Sequence, residues 1–176
     1  MFNLRFFLPC ALLLGSIATA SDSEIDRASI KGLKGVFVLV EDLNPPEEQA
    51  GLKTADIQAD AEQKLRAAGI PLLSKDEGLK APGMPTLYIS VSVASSTTTD
   101  VWPFSIDVNL EQQANLTRNP DTFVPTAVTW HVGAIGGIGK SDIRSIRDRV
   151  NEQIAKFVNA YLKVNPKSVM LPAAEK

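Results

Sequence analysis

Leu87-Tyr88-Ile89-Ser90-Val91-Ser92-Val93 alternates apolar and polar side chains without a break. Successive side chains of a strand point to opposite faces, so Leu87, Ile89, Val91 and Val93 share one face while Tyr88, Ser90 and Ser92 share the other. Two later segments repeat the pattern. Phe104, Ile106, Val108 and Leu110 alternate with Ser105, Asp107, Asn109 and Glu111, and Val124, Val128, Trp130 and Val132 alternate with Ala127, Thr129 and His131. Period two over three neighbouring segments predicts a sheet with one face in the core and one in water, the habit of an antiparallel meander. Turns are expected at Ser95 to Val101 and at Thr117 to Asp121, where Asn, Pro and Asp collect.

Upstream, Gly35-Val36-Phe37-Val38-Leu39-Val40 is a continuous apolar run and predicts a strand buried on both faces. Asn44-Pro45-Pro46-Glu47-Glu48 reads as a loop, because consecutive prolines are excluded from helix interiors. A helix is expected from Thr54, as N-cap, to Gly69. Its apolar stripe is Ile57, Ala61, Leu65 and Ala68, with Gln58, Glu62 and Lys64 on the solvent side. Ile70 to Leu73 is expected as a short edge strand and residues 74 to 85 as loop. Downstream, Gly133 to Gly139 reads as a glycine-rich turn. The longest helix then places Ile143, Ile146, Val150, Ile154, Phe157 and Tyr161 on one stripe and stops at Asn165-Pro166. The order β-α-(β)-β-β-β-α predicts an α+β fold, a two-layer sandwich of a mostly antiparallel four- or five-stranded sheet with two helices on one face.

The first twenty residues read differently. Arg5 precedes the apolar run Phe6 to Ile17, and Ala18-Thr19-Ala20 supplies small residues for cleavage, so residues 1–20 are expected to be a signal peptide cut before Ser21. The run is shorter than a membrane span and contains Pro9 and Gly15. Cys10 follows Pro9 where a lipid-modification site wants a small residue, which argues against an acyl anchor, and the leader carries away the only cysteine. Taking twenty residues from 176 leaves 156, suited to a single α+β domain over 21–166 followed by a flexible tail over 167–176. Removing Arg5 from the 18 basic residues leaves the 20 acidic ones in excess by three. No basic cluster suits nucleic acid, and no apolar run after the leader spans a membrane. The expected location is the periplasm or the medium.

Three segments carry a resemblance. Ala68-Gly69-Ile70-Pro71-Leu72-Leu73-Ser74, Leu87-Tyr88-Ile89-Ser90-Val91, and Ser145-Ile146-Arg147-Asp148 continuing to Phe157-Val158-Asn159-Ala160-Tyr161-Leu162 are similar to uncharacterised exported bacterial proteins. The architecture resembles the N-terminal domain of the translocation protein TolB and the lipopolysaccharide-assembly lipoprotein LptE. The likeness implies a module of the bacterial envelope with an envelope protein or polysaccharide as partner; it assigns no activity, since fold does not fix function.

Motifs that could carry chemistry are few. Ala134-Ile135-Gly136-Gly137-Ile138-Gly139-Lys140-Ser141 fits a relaxed phosphate-loop pattern, with Ala for the first Gly. A nucleotide site of that kind needs a buried parallel sheet and a later acidic metal ligand, neither of which the pattern supplies. What remains is a turn with Ser141 capping the following helix, or a small anion site at Gly137, Gly139, Lys140 and Ser141. His131, the only histidine, lies on the polar register and suggests a hydrolase as an alternative, without a Gly-x-Ser-x-Gly elbow or an acidic partner set by spacing. Asp107 and Glu111 on one strand face lie about 13 Å apart, too far for a glycosidase pair. The leading expectation is a non-enzymatic binding module with no cofactor and no metal, using the polar face at Ser92, Asp107, Asn109 and His131 or a contact anchor at Trp102.

Overall fold

The computed structural model describes residues 22–94 and 96–166. The leader, its cleavage before Ser21, Cys10 and the tail at 167–176 lie outside those residues. Four strands form one mixed sheet in the order β1 (Phe37–Val40), β2 (Thr86–Val93), β3 (Val101–Leu116), β4 (Asn119–Gly139). β1 runs parallel to β2, and the other pairs are antiparallel. A parallel pair needs a long crossover. Here it contains α2 (Pro45–Gln49), α3 (Thr54–Ala68) and α4 (Lys75–Lys80). α1 (Glu24–Ala28) precedes β1, and a 3-10 helix (Lys140–Ser145) leads into α5 (Ile146–Val164). The fold is α+β and the sheet mostly antiparallel, as the alternation predicts. No helix among the described residues is long and apolar enough to cross a membrane.

The core follows the two periodicities. Leu87, Ile89, Ile106, Val108 and Leu110 are fully buried, and Trp130 and Val132 nearly so. They join one cluster with Ile57, Ala61 and Leu65 of α3 and with Ile146, Val150, Ile154, Phe157 and Tyr161 of α5. α3 packs on β1 and on α5, and α5 touches β3 and β4. The Trp130 and Phe157 rings meet edge to face at 5.3 Å. The indole N–H of Trp130 donates to Asp22 Oδ1 at 3.1 Å, satisfying the polar end of a ring that is otherwise in apolar surroundings. α3 and α5 are also clamped by charge. The Arg147 guanidinium donates to both oxygens of Asp60, reaching Oδ1 at 2.8 Å, and Asn151 adds a bond to Asp60 at 2.9 Å. Arg147 therefore holds the Asp60 carboxyl below its ordinary range.

Several local expectations are corrected. Pro45 and Pro46 open a helix instead of a loop, because at its first two positions the missing N–H groups would have had no helical acceptor. Residues 75–80 are helical, started by a reciprocal capping box between Ser74 and Glu77. Thr54 begins α3 without capping it, its hydroxyl accepting instead from the Leu43 amide at 3.1 Å. Leu72 makes only one isolated bridge, to Val36, in place of an edge strand. β1 is buried on one side only, since Val38 and Val40 are enclosed while Leu39 stays exposed. Val128 is exposed as well. The register slips between Leu110 and Glu111, so Leu110 faces Trp130 and Glu111 faces Val128; the extra residue, Thr129, lets Val128 leave the core register.

The largest correction concerns Gly133 to Gly139. These residues form the end of β4, paired with β3 from Asp107 back to Val101. The hairpin turn that the sequence places at Thr117 to Asp121 closes tightly at Thr117 and Arg118, and β4 already includes Pro120.

Candidate functional site

Two places gather polar side chains. The first is a cleft where the β2–β3 hairpin, the 3-10 helix and α2 meet. It consists of two adjoining cavities of about 630 and 600 Å³ that share Ala50, Asp100 and Lys140 in their walls. Ser141 and Arg144 complete one cavity, and Ser96, Thr97, Thr99 and Trp102 line the other. β4 ends on this cleft because the Lys140 amide extends the ladder by one bond, donating to the Asp100 carbonyl at 2.9 Å.

Trp102 sets the shape. It is 4% exposed, and its indole N–H donates to the Ser96 carbonyl at 3.1 Å across the hairpin loop. Trp102 is thus packed under the hairpin loop and orders it, with part of its side chain in the cleft lining. The Lys140 Nζ lies 5.6 Å from its ring centroid, a cation over an aromatic face. Arg144 lines the same cavity and lies so close to Gly51 that a Cβ there would meet Nε at 2.5 Å. Neither Lys140 nor Arg144 has a carboxylate within ion-pair distance among the described residues, although Asp100 shares the wall. Ser141 does not cap; Gly139 holds the cap position, and no side chain closes the first turn.

The second place is the outer sheet face. The register aligns Leu39, Tyr88, Asn109 and His131 in one row across all four strands, and Ser90, Asp107 and Gly133 in the next. Because Gly133 has no side chain, His131 leans along its own strand, and Nε2 reaches Asp107 Oδ1 at 3.0 Å. The acidic partner that spacing could not identify is therefore Asp107. Ser90 donates to Glu41 at 2.6 Å and is not bonded to the imidazole. Burial, a hydrogen bond with Glu41 and the negative charge of Glu41 and Glu111 hold the Tyr88 phenol above its ordinary value. Asn109 is half-buried between these groups, and its Oδ1 is enclosed without a hydrogen-bond partner among the described residues. Ser92 is exposed near the hairpin end of the face.

The structure thus brings Gly139, Lys140 and Ser141 together with Trp102, and joins Asp107, Asn109 and His131, with Ser92 and Gly137 apart from both groups. Sequence reasoning missed Arg144, which follows Lys140 by four residues, and Asp100. It also missed Glu47, a 2% exposed carboxylate on α2 whose Oε2 has no hydrogen-bond partner among the described residues. No group of three or more His, Cys, Asp or Glu side chains among the described residues is arranged to hold a metal ion. Asp56 and Asp60, one helical turn apart, both face Arg147. No protein-family model matches the chain, and no curated protein sequence matches it.

Proposed function

We propose that the chain is a non-enzymatic binding or assembly module of the bacterial envelope, periplasmic or secreted, that takes an anionic group of an envelope protein or polysaccharide in the hairpin cleft. Its form is a two-layer sandwich over 21–166, with α3 and α5 against one face of the sheet. The layer arrangement is supported by the single core cluster that joins alternate strand residues to the stripes of both helices. The observation that carries the function is the placement of Lys140 and Arg144 on one cleft, with no carboxylate in ion-pair reach among the described residues and with the hydroxyls of Ser96, Thr97 and Ser141 in its lining. Two cations in one lining with hydroxyl groups, and Asp100 as its one carboxylate, suit a phosphate, sulfate or carboxylate group, and the hydroxyls suit a sugar bearing it.

Isothermal titration with inorganic phosphate, sulfate and an acidic polysaccharide tests this. Lys140→Ala and Arg144→Ala should each weaken binding by roughly tenfold, about 1.4 kcal/mol, leaving the melting temperature in place. A double variant that binds every anion as tightly as the natural chain would remove the cleft from consideration. Export is tested apart from the cleft. The mass of secreted protein should correspond to a chain beginning at Ser21, and a retained leader would place the protein elsewhere.

A hydrolase is the second reading, favoured by the His131 to Asp107 contact. It needs a nucleophile on the free side of the imidazole, and the nearest serine on the same face, Ser90, is occupied by Glu41. His131→Ala abolishing hydrolysis of a generic ester or amide substrate would favour it over the binding module.

A further inference from the structure

The free edge of β4 has a property that neither the cleft nor the outer face uses. The sheet order leaves β4 at one edge over its whole length. In an antiparallel pair, hydrogen-bonded and non-hydrogen-bonded residues alternate. The Lys140 amide donates to Asp100, and the register runs unbroken from Val101↔Gly139 to Leu110↔Trp130, so the even-numbered residues 132–138 turn their backbone groups toward β3. His131, Gly133, Ile135, Gly137 and Gly139 consequently turn theirs outward. The same parity explains why the Thr129 carbonyl is reached from outside the sheet, by Ser29 Oγ at 3.0 Å.

The two halves of this edge are protected unequally. The half near the β3–β4 turn contains Pro120, Asp121 and Pro125, and Ser29, just after α1, bonds it at Thr129. Prolines, charges and covering helices are the devices that keep edge strands from pairing with other chains. From Val132 to Gly139 there are eight residues with no proline and no charge, and among the described residues nothing bonds to the outward amides and carbonyls of 133–139. Ile135 is 63% exposed on this segment, and Val101, which pairs with Gly139 farther along the outer face, is 57% exposed.

We infer that this half-edge pairs with the same half-edge of a second copy of the chain, antiparallel about a two-fold axis through Gly136. That register places Ile135 opposite Gly137 of the second copy, and reciprocally, with Gly133 opposite Gly139. All four are outward-facing positions, so each opposed pair exchanges both backbone hydrogen bonds. The side chains fit in the same register. Each Ile135 lies where the other strand has only a glycine, and there it also approaches the other copy's Val101, which a Cβ on Gly137 would meet at 3.0 Å. A foreign strand would be selected by charges or side-chain pockets, and this segment offers neither; against its own copy it meets no like charge. The other sheet edge, β1, is four residues long and bridged at Val36 by Leu72, so the pairing closes at two chains.

Sedimentation equilibrium of the purified chain, from micromolar to millimolar concentration, reads this out. The expected mass is that of two chains. Ile135→Lys puts a charge into the pairing strand at an exposed position, and Gly137→Pro removes an outward N–H without adding charge. Each should raise the dimer dissociation constant by at least about tenfold. Circular dichroism on both variants separates loss of pairing from loss of fold. A natural chain that sediments as one chain throughout overturns the inference. So does a folded Ile135→Lys or Gly137→Pro variant that dimerises unchanged, or an assembly that grows beyond two.

Discussion

A glycine series along β4 distinguishes a strand from a turn by energy. A Cβ added at Gly133 would lie 2.7 Å from the Ile106 carbonyl oxygen, 3.1 Å from Asp107 Oδ1 and 3.4 Å from His131 Nε2. The first of these is backbone in the β3–β4 ladder and has nowhere to go. An ordinary carbon-to-carbonyl contact is about 3.3 Å or longer, so the strands must separate locally by roughly half an ångström. Overpacking of this kind costs about 1–3 kcal/mol, and replacing glycine returns about 0.4–1 kcal/mol by restricting the unfolded chain. Gly133→Ala should therefore lose about 1–2 kcal/mol. Gly137→Ala meets only Val101 Cγ1 at 3.0 Å, the end of an exposed side chain that can turn aside. There the unfolded-state effect prevails, and the variant should be unchanged or up to about 1 kcal/mol more stable. Neither glycine has positive φ. Urea unfolding of the two variants at equal m-value measures the difference. Equal large losses at both positions are what a left-handed glycine turn produces, and that result would refute the strand argument.

Asp60→Asn tests the clamp between α3 and α5. The Asp60 carboxyl is held below its ordinary 3.8, principally by the hydrogen bond from Arg147, so its stabilisation is present above that pH and is lost as pH falls through the lower folded value. Arg147 is 41% exposed, and solvent reduces the effect to about 1 kcal/mol near neutrality; the gap between natural chain and variant should narrow in unfolding curves taken below pH 3.8, and a constant gap would contradict the assignment. Asn109→Val should raise stability by about 1 kcal/mol in the same urea assay, because it removes an enclosed acceptor with no partner and adds a β-branched side chain, and a loss would mean that Asn109 Oδ1 is bonded after all.

The fold was legible wherever a face was uniformly buried. Leu87 to Val93 and Phe104 to Leu110 kept perfect period two because each strand has a neighbour on both sides and a core beneath, so every second residue had to be apolar. The α5 stripe from Ile146 to Tyr161 was legible for the same reason at period 3.6. Legibility failed where short-range chemistry overrode composition. Two prolines suggested a loop, yet at the first turn of α2 they remove only donors that no helix uses. The Ser74 and Glu77 capping box was written plainly in the sequence, but Pro82, Gly83 and Pro85 nearby drew the whole segment into a loop. Val128 kept its place in the alternation, and only the slip at Thr129, which no propensity announces, moved it to the outer face.

Gly133 to Gly139 shows why the site was harder to read than the fold. Glycine in a sequence reports a backbone constraint without saying which one. A turn needs glycine for positive φ, and a strand needs it where another backbone or side chain comes too near for a Cβ. Here the second cause holds at Gly133, under the Ile106 carbonyl, and the consequence is chemical: the space it leaves is what lets His131 reach Asp107. The same reassignment carries the chain in extended form as far as Lys140, where a turn would have ended it earlier. Only because β4 continues to Gly139 does Lys140 arrive beside Asp100 and over Trp102. The cleft joins α2, the hairpin and the 3-10 helix, segments separated by about fifty residues and then by about forty. No local motif connects them, so Arg144 and Asp100 carried no signal of their own. What the sequence could have offered is the closeness of Lys140 and Arg144, two cations four residues apart immediately after the uncharged stretch Val132 to Gly139. Among the described residues neither has a carboxylate within ion-pair distance, and that placement is what the proposed anion site rests on.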